Sequence, residues 1–147
     1  MLSGSLRARW PCWLPGAALA LVASACAGPG PAPASSVQGT WRIEQARSEP
    51  LLDRRRARLE FGPDGRLSGH TSCNTLRATF TLEGDRLKIG PIATTRMGCN
   101  EAEREQEDRV LTALELARTA RVRPDGLLEL RDEDGRGVLR ATRLAPE

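Results

Sequence analysis

Residues 80–89, FTLEGDRLKI, decide the fold of this chain. On either side of Gly84-Asp85, apolar and polar residues alternate, and this period of two is typical of strands with one buried face. A Gly-Asp pair between such segments favours a two-residue turn. The segment therefore predicts an antiparallel β-hairpin, whose buried face is formed by Phe80, Leu82, Leu87 and Ile89.

Similar alternation extends on both sides of this hairpin. It covers residues 41–43, 59–61, 128–130 and 138–144, and turn signals containing Asp-Gly lie at residues 63–65, 124–126 and 134–135. Turns at such short spacing favour antiparallel neighbours joined as a meander. We therefore predict an α+β fold: an antiparallel β-meander with one packed α-helix.

The helix is predicted to start after Asn100. Asn100 is a good N-cap residue, Glu103 stands three residues later, and acidic residues crowd the first turns, where they complement the helix dipole. The residues that repeat at helical spacing, and should pack on the sheet, are Ala102, Gln106, Val110, Ala113, Leu114 and Ala117. The residues expected on the exposed face are Arg104, Glu107, Asp108 and Glu115.

Residues 1–25 have the features of an export signal. Arg7 and Arg9 precede an apolar run that is too short to span a bilayer, and small residues follow it. The small residues suit the general signal peptidase, but together with Cys26 they also resemble a bacterial lipobox, in which the cysteine is lipidated. The first reading predicts a soluble periplasmic protein. The second predicts a membrane anchor at Cys26 and, since nothing acidic follows it, sorting to the outer membrane.

The remaining chain divides into a tether and one small domain. Residues 26–38 are rich in Pro, Gly, Ala and Ser and are predicted to be a semi-rigid tether. Residues 39–145 are predicted to form the domain, because the length leaves room for a single hydrophobic core.

Charge and composition argue against several functions. Arg7 and Arg9 are two of the 22 cationic residues, which leaves 20 against 19 acidic ones in the processed chain. Nucleic-acid binding needs a large cationic excess, so we predict no nucleic-acid partner. The chain has one His, no Tyr, and no phosphate-binding, dinucleotide or nucleophile-elbow motif, so we expect no enzyme and no cofactor. A hydrolase would have to recruit His70 with Ser68 or Ser72, which strand alternation places on one face.

The cysteines allow three interpretations. If Cys12 leaves with the signal and Cys26 is at the terminus, Cys73 and Cys99 remain in an oxidising compartment, and a disulfide closing a loop of about 25 residues is the default. A rival interpretation takes soft ligands for Cu(I) from His70, Cys73, Met97 and Cys99. A third is a redox-active pair, because Cys99 just before a helix would have a stabilised thiolate.

Several ordered motifs resemble one known family. They are Gly39-Thr40-Trp41, Leu59-Glu60-Phe61, Ser72-Cys73-Asn74 and, most distinctively, Thr95-Arg96-Met97-Gly98-Cys99. Together they resemble the META domain of HslJ-type bacterial envelope proteins over nearly all of residues 39–145. Three positions depart from the family pattern: Ser72 stands where Gly is usual, Thr75 where Arg is usual, and Ala78 where a second Gly is common. The resemblance implies a curved antiparallel β-sheet, partly barrel-like, with one packed α-helix, an envelope location and an association with stress or outer-membrane integrity.

Polar residues beside the two cysteines are the candidate binding residues. Asn74, Thr95 and Arg96 are expected either to support the backbone where strands give way to loops or to line a ligand cleft. The leading functional hypothesis is a non-enzymatic envelope lipoprotein that binds an envelope protein or a cell-wall partner. The alternative is a small-ligand or copper-binding periplasmic protein.

Overall fold

The computed structural model describes residues 36–145. The predicted signal peptide, the lipidation candidate Cys26 and most of the predicted tether lie outside the described residues. No helix within residues 36–145 has the length and apolar composition needed to cross a bilayer.

The described chain forms ten antiparallel strands and one helix. The strands are β1 (Gly39–Ala46), β2 (Glu49–Pro50), β3 (Arg58–Phe61), β4 (Arg66–His70), β5 (Thr75–Glu83), β6 (Arg86–Ile89), β7 (Ala93–Thr94), β8 (Thr119–Val122), β9 (Leu128–Arg131) and β10 (Gly137–Arg143). The helix α1 (Glu101–Leu116) lies between β7 and β8.

The sheet closes into a barrel, so the predicted curved α+β fold is confirmed. Eight strands follow one another in the order β10-β9-β8-β6-β5-β4-β3-β1, and β1 pairs with β10 to complete the circle. The two-residue strand β2 pairs with β1, and the two-residue strand β7 pairs with β5. The weakest seam joins β6 to β8, where one residue pair, Arg86 and Thr119, is in register. Short local hairpins build most of the barrel, but closure depends on contacts between the two ends of the domain.

The predicted hairpin has the expected register. Leu82 lies opposite Leu87 and Phe80 opposite Ile89, across the turn at Gly84, whose φ of 62° suits glycine. Phe80 also meets Phe61 of β3 edge to face, with ring centroids 5.1 Å apart. The hairpin thus contributes directly to the single hydrophobic core inside the barrel.

Trp41 is the largest side chain of this core and is fully buried. Its Nε1 donates to the Val37 carbonyl at 2.8 Å, and the Arg143 guanidinium lies 4.1 Å from the ring centroid. Val37 is itself buried. The packed domain therefore starts earlier than the predicted boundary at residue 39, because the last residues of the predicted tether cover Trp41.

Helix α1 begins as predicted. The Asn100 side chain accepts from the Glu103 N–H, and the Glu103 carboxylate accepts from the Asn100 N–H, which forms a capping box. The buried helix residues are Gln106, Val110, Ala113 and Leu114. Ala102, which was expected to pack on the sheet, is exposed. Ala117, the C-cap residue, is buried in the core as expected.

Candidate functional site

The turn between β4 and β5 places Cys73 and Asn74 beside the helix. The Thr71 N–H donates to the Asn74 carbonyl at 2.8 Å, and the Asn74 N–H donates to Thr71 Oγ1 at 3.1 Å. Ser72 within this turn has a φ of 89°, a conformation that glycine adopts without strain. This backbone geometry explains why a glycine is usual at the position, and why serine there is a local cost.

Side-chain hydrogen bonds compensate for the strained backbone of Ser72. Its Oγ donates to the Asp53 carbonyl at 2.7 Å and accepts from Gln106 Nε2 at 2.7 Å. Gln106 Oε1 in turn accepts from the Leu52 and Asp53 N–H groups at 2.8 and 3.2 Å. Gln106 therefore ties α1 to two loops.

Cys73 and Cys99 form a disulfide in the structure, with Cα atoms 6.0 Å apart. The bond links the β4–β5 turn to the residue before the helix N-cap. Both cysteines are half-buried. The pairing expected from cysteine number and compartment is therefore the one that the fold brings together.

Asn74 is buried between the disulfide and the helix, and its amide is fully engaged. Its Oδ1 accepts from Thr95 Oγ1 at 2.9 Å and from the Met97 N–H at 2.8 Å, while its Nδ2 donates to a Glu107 carboxylate oxygen at 2.8 Å. Nδ2 also lies 3.5 and 3.8 Å from the sulfurs of Cys73 and Cys99. We call Cys73, Asn74, Thr95, Cys99 and Glu107 the Asn74 cluster. Of the two roles considered for Asn74, its contacts are those of structural support.

Glu107 is the member that sequence reasoning missed. It was expected on the exposed face of α1, but it is half-buried against Asn74. Glu107 follows the buried Gln106 in the helix, so the sequence could have placed it at the edge of the packed face. The sequence could not identify Asn74 as its hydrogen-bond donor, because Asn74 lies 33 residues away.

Arg96 and Met97 project from the loop that the Asn74 cluster holds. Both side chains are exposed, and Met97 is 68% exposed. Within residues 36–145, Arg96 makes no ion pair and no side-chain hydrogen bond. The loop is therefore fixed at its base, and the guanidinium at its tip has no partner in the part of the chain that the structure describes.

The structure does not assemble the four-residue copper site. Among the described residues, the His, Cys, Asp and Glu donor atoms that lie within 4.8 Å of one another are those of Cys73, Cys99 and Glu107, without His70. His70 Nδ1 instead accepts from the Ser72 N–H at 3.0 Å. Burial and the positive charges of Arg58 and Arg56 lower the pKa of His70, which keeps this acceptor unprotonated near neutral pH.

The structure also does not assemble a serine hydrolase site from His70 and Ser72. Ser72 is not on the face of β4 that carries Ser68 and His70, because it belongs to the following turn and is buried. Its hydroxyl is bonded to Asp53 and Gln106, and His70 uses Nδ1 for the turn backbone. His70 therefore supports the backbone of the β4–β5 turn.

One further acidic side chain is buried, on the outer surface of the barrel. The Glu129 side chain is 5% exposed and accepts from Arg121 and Arg131 at 3.2 and 2.8 Å. Burial opposes ionisation of Glu129, but hydrogen bonds from Arg131 and Arg121 outweigh it and hold its pKa below the usual value. Such a fully paired carboxylate stabilises the β8–β9 surface and is not available as a catalytic base.

An open groove lies on the outer face of β3, β4 and β5. Its volume is about 680 Å³, and its lining includes Glu60, Arg66, Ser68 and Arg77. Glu60, Ser68 and Arg77 occupy one row across the three strands. A groove of this kind leaves much of a small ligand in water, in contrast to the enclosed apolar pockets that bind small molecules tightly.

Known proteins resemble the chain in sequence pattern and in fold. The family model described as META domain matches residues 34–144. An NMR structure of a protein from Burkholderia xenovorans has a TM-score of 0.58 and 21% identity, covering 74% of this chain and 83% of that chain. The crystal structure of a DUF4847 family protein from Bacteroides vulgatus has a TM-score of 0.55 and 15% identity, covering 75% of this chain and 95% of that chain. No curated protein matches the chain.

Proposed function

The chain belongs to the META domain family, and from this premise we propose that it is a non-enzymatic binding module of the bacterial cell envelope. In this proposal a lipid on Cys26 anchors the protein to the outer membrane, and the domain faces the periplasm. Its role is that of an accessory protein in envelope stress, and it acts by binding another envelope component.

The observation that carries the proposal is the exposed but fixed loop at residues 95–98. Asn74 and the disulfide hold its base, so the loop loses little conformational entropy when a partner binds. Arg96 offers a planar guanidinium suited to a carboxylate, and Met97 beside it offers a polarizable apolar side chain. The partner surface that fits is a carboxylate next to an apolar patch on an envelope protein.

Replacing Arg96 with glutamate tests this surface. We expect Arg96→Glu to reduce the recovery of crosslinked envelope partners at least about tenfold, because a carboxylate in place of the guanidinium repels the partner's carboxylate. The measurement is quantitative mass spectrometry after crosslinking in intact cells. The matched control is Arg86→Glu, since Arg86 is also exposed and forms no ion pair within residues 36–145. Equal recovery with both variants would contradict a role for the 95–98 loop.

The anchor is tested separately at Cys26. If Cys26 is lipidated, Cys26→Ala should move the protein from the detergent phase to the soluble periplasmic fraction and abolish labelling by a fatty-acid analogue, because the acyl chains supply the membrane affinity. Labelling with the analogue distinguishes lipid attachment from indirect association. Unchanged partitioning and labelling in the variant would refute the lipoprotein assignment and leave the binding module intact.

A further inference from the structure

The carboxylate of Glu107 is close to the disulfide and has no cationic partner among residues 36–145. One Glu107 oxygen and the sulfurs of Cys73 and Cys99 all lie within 4.8 Å of one another, and all three residues are half-buried. Glu107 takes part in no ion pair within residues 36–145, and its hydrogen bond comes from the neutral amide of Asn74. A carboxylate in this position is not needed to stabilise the disulfide, which carries no charge.

Reduction changes the electrostatics of this cluster. A dithiol reductant transfers two electrons and two protons to the disulfide, yields the Cys73 and Cys99 thiols, and is itself oxidised to a disulfide. When a metal ion binds, both thiols release their protons to water, which gives two thiolates beside one carboxylate. Three anionic groups this close together repel one another unless a cation lies between them.

We propose that the reduced Asn74 cluster is a binding site for a thiophilic divalent cation, Zn²⁺, with Cys73 Sγ, Cys99 Sγ and the Glu107 carboxylate as ligands. Zn²⁺ accepts such mixed sulfur and oxygen ligands, at about 2.3 Å for sulfur and about 2.0–2.2 Å for oxygen. The three donor atoms already lie within 4.8 Å of one another, which is close enough for one ion to contact them all once the disulfide is open. A water molecule completes a four-coordinate ion.

Asn74 is the positioning residue of this site. Its Nδ2 donates to the Glu107 carboxylate and lies near both sulfurs, which is the arrangement of an outer-shell donor that orients metal ligands. Its Oδ1 is committed to Thr95 and Met97, so the amide cannot rotate freely. The donor set favours Zn²⁺ over Cu(I), because a carboxylate is a poor ligand for Cu(I) and because His70 Nδ1 is hydrogen-bonded to the Ser72 backbone.

The test compares zinc affinity in reduced and oxidised protein. All samples carry Cys12→Ala and Cys26→Ala, so that Cys73 and Cys99 are the only thiols in the full chain. Reduced protein is titrated with Zn²⁺ against a chromophoric chelator, and with Co²⁺ to detect thiolate-to-metal charge transfer. We expect one equivalent of Zn²⁺ to bind the reduced protein and none to bind the oxidised protein.

The Glu107→Gln variant tests whether the carboxylate is a zinc ligand or whether the two thiols alone bind the ion. It should weaken zinc binding by about 10- to 100-fold, while Glu105→Gln, the same loss of charge on an exposed residue of the same helix, should leave the affinity unchanged. Circular dichroism reports whether each reduced protein is folded. Equal zinc affinity of the Glu107→Gln and unsubstituted proteins would overturn the proposal, whether the reduced chain is folded or not, and so would the absence of binding.

Discussion

Replacing both Cys73 and Cys99 with serine is expected to lower the free energy of unfolding by about 3.5 kcal/mol. The bond joins positions 26 residues apart, and on the chain-entropy model its removal frees a loop of that length in the unfolded state. Because a small domain is stabilised by only about 5–15 kcal/mol, this is a large share of the total. The melting temperature should fall by roughly 15 °C, measured by circular dichroism on the soluble protein.

Two controls locate the origin of this loss. Unsubstituted protein treated with a reductant should have the same melting temperature as the double serine variant. The intact mass after alkylation should show that both thiols are protected until the protein is reduced. Hydrogen exchange at the Met97 amide should accelerate as well, because the disulfide and Asn74 together hold that loop. A double variant as stable as the unsubstituted protein would contradict the chain-entropy argument. Freely alkylated thiols in the native protein would contradict the disulfide itself.

Local structure could be predicted from the sequence where interactions between neighbouring residues determine it. The hairpin register follows from alternation around a Gly-Asp turn, and the helix start follows from a side chain that caps free N–H groups. Both depend on residues a few positions apart. The sequence alone was therefore enough to place Phe80, Leu87 and Asn100 correctly.

Barrel closure was not predictable from the same patterns. Trp41 pairs with Arg143 across the whole domain, and no periodicity in one strand specifies which distant strand it meets. Irregularities in register near Gln45 and Leu139 bend β1 and β10 at the point where they pair. Alternation predicted antiparallel strands and the family resemblance implied a curved sheet, but neither specified the pairing of β1 with β10 that closes the barrel.

The packing of polar residues against other elements is the second feature that the sequence did not predict. Glu107 was assigned to solvent because charge usually indicates an exposed position. It instead accepts a hydrogen bond from the Asn74 amide of the β4–β5 turn, and Glu129 is likewise buried, between Arg121 of β8 and Arg131 of its own strand. The Asn74 cluster is therefore assembled from three separate segments. The sequence identified its cysteines, Asn74 and Thr95, but not the carboxylate.

Gln106 is the polar residue whose substitution should be most destabilising. It lies in the stripe of α1 that was predicted to pack on the sheet, and its side chain is 1% exposed. The amide bonds the Leu52 and Asp53 N–H groups on one side and Ser72 Oγ on the other, with further contacts to the Asp53 and Thr71 carbonyls at 3.3 Å. A leucine of similar size fills the space but satisfies none of these groups.

Gln106→Leu is expected to lower the free energy of unfolding by about 3 kcal/mol, since each buried donor or acceptor left without a partner costs about 1–3 kcal/mol. Urea denaturation of the soluble protein measures the loss. Arg104→Leu is the matched control, because Arg104 is exposed on the same helix and leucine has nearly the same helix propensity as arginine. If Gln106→Leu were as stable as Arg104→Leu, residues 51–53 would not depend on this side chain, and the link between α1 and the β4–β5 turn would have to come from the disulfide and Asn74 alone.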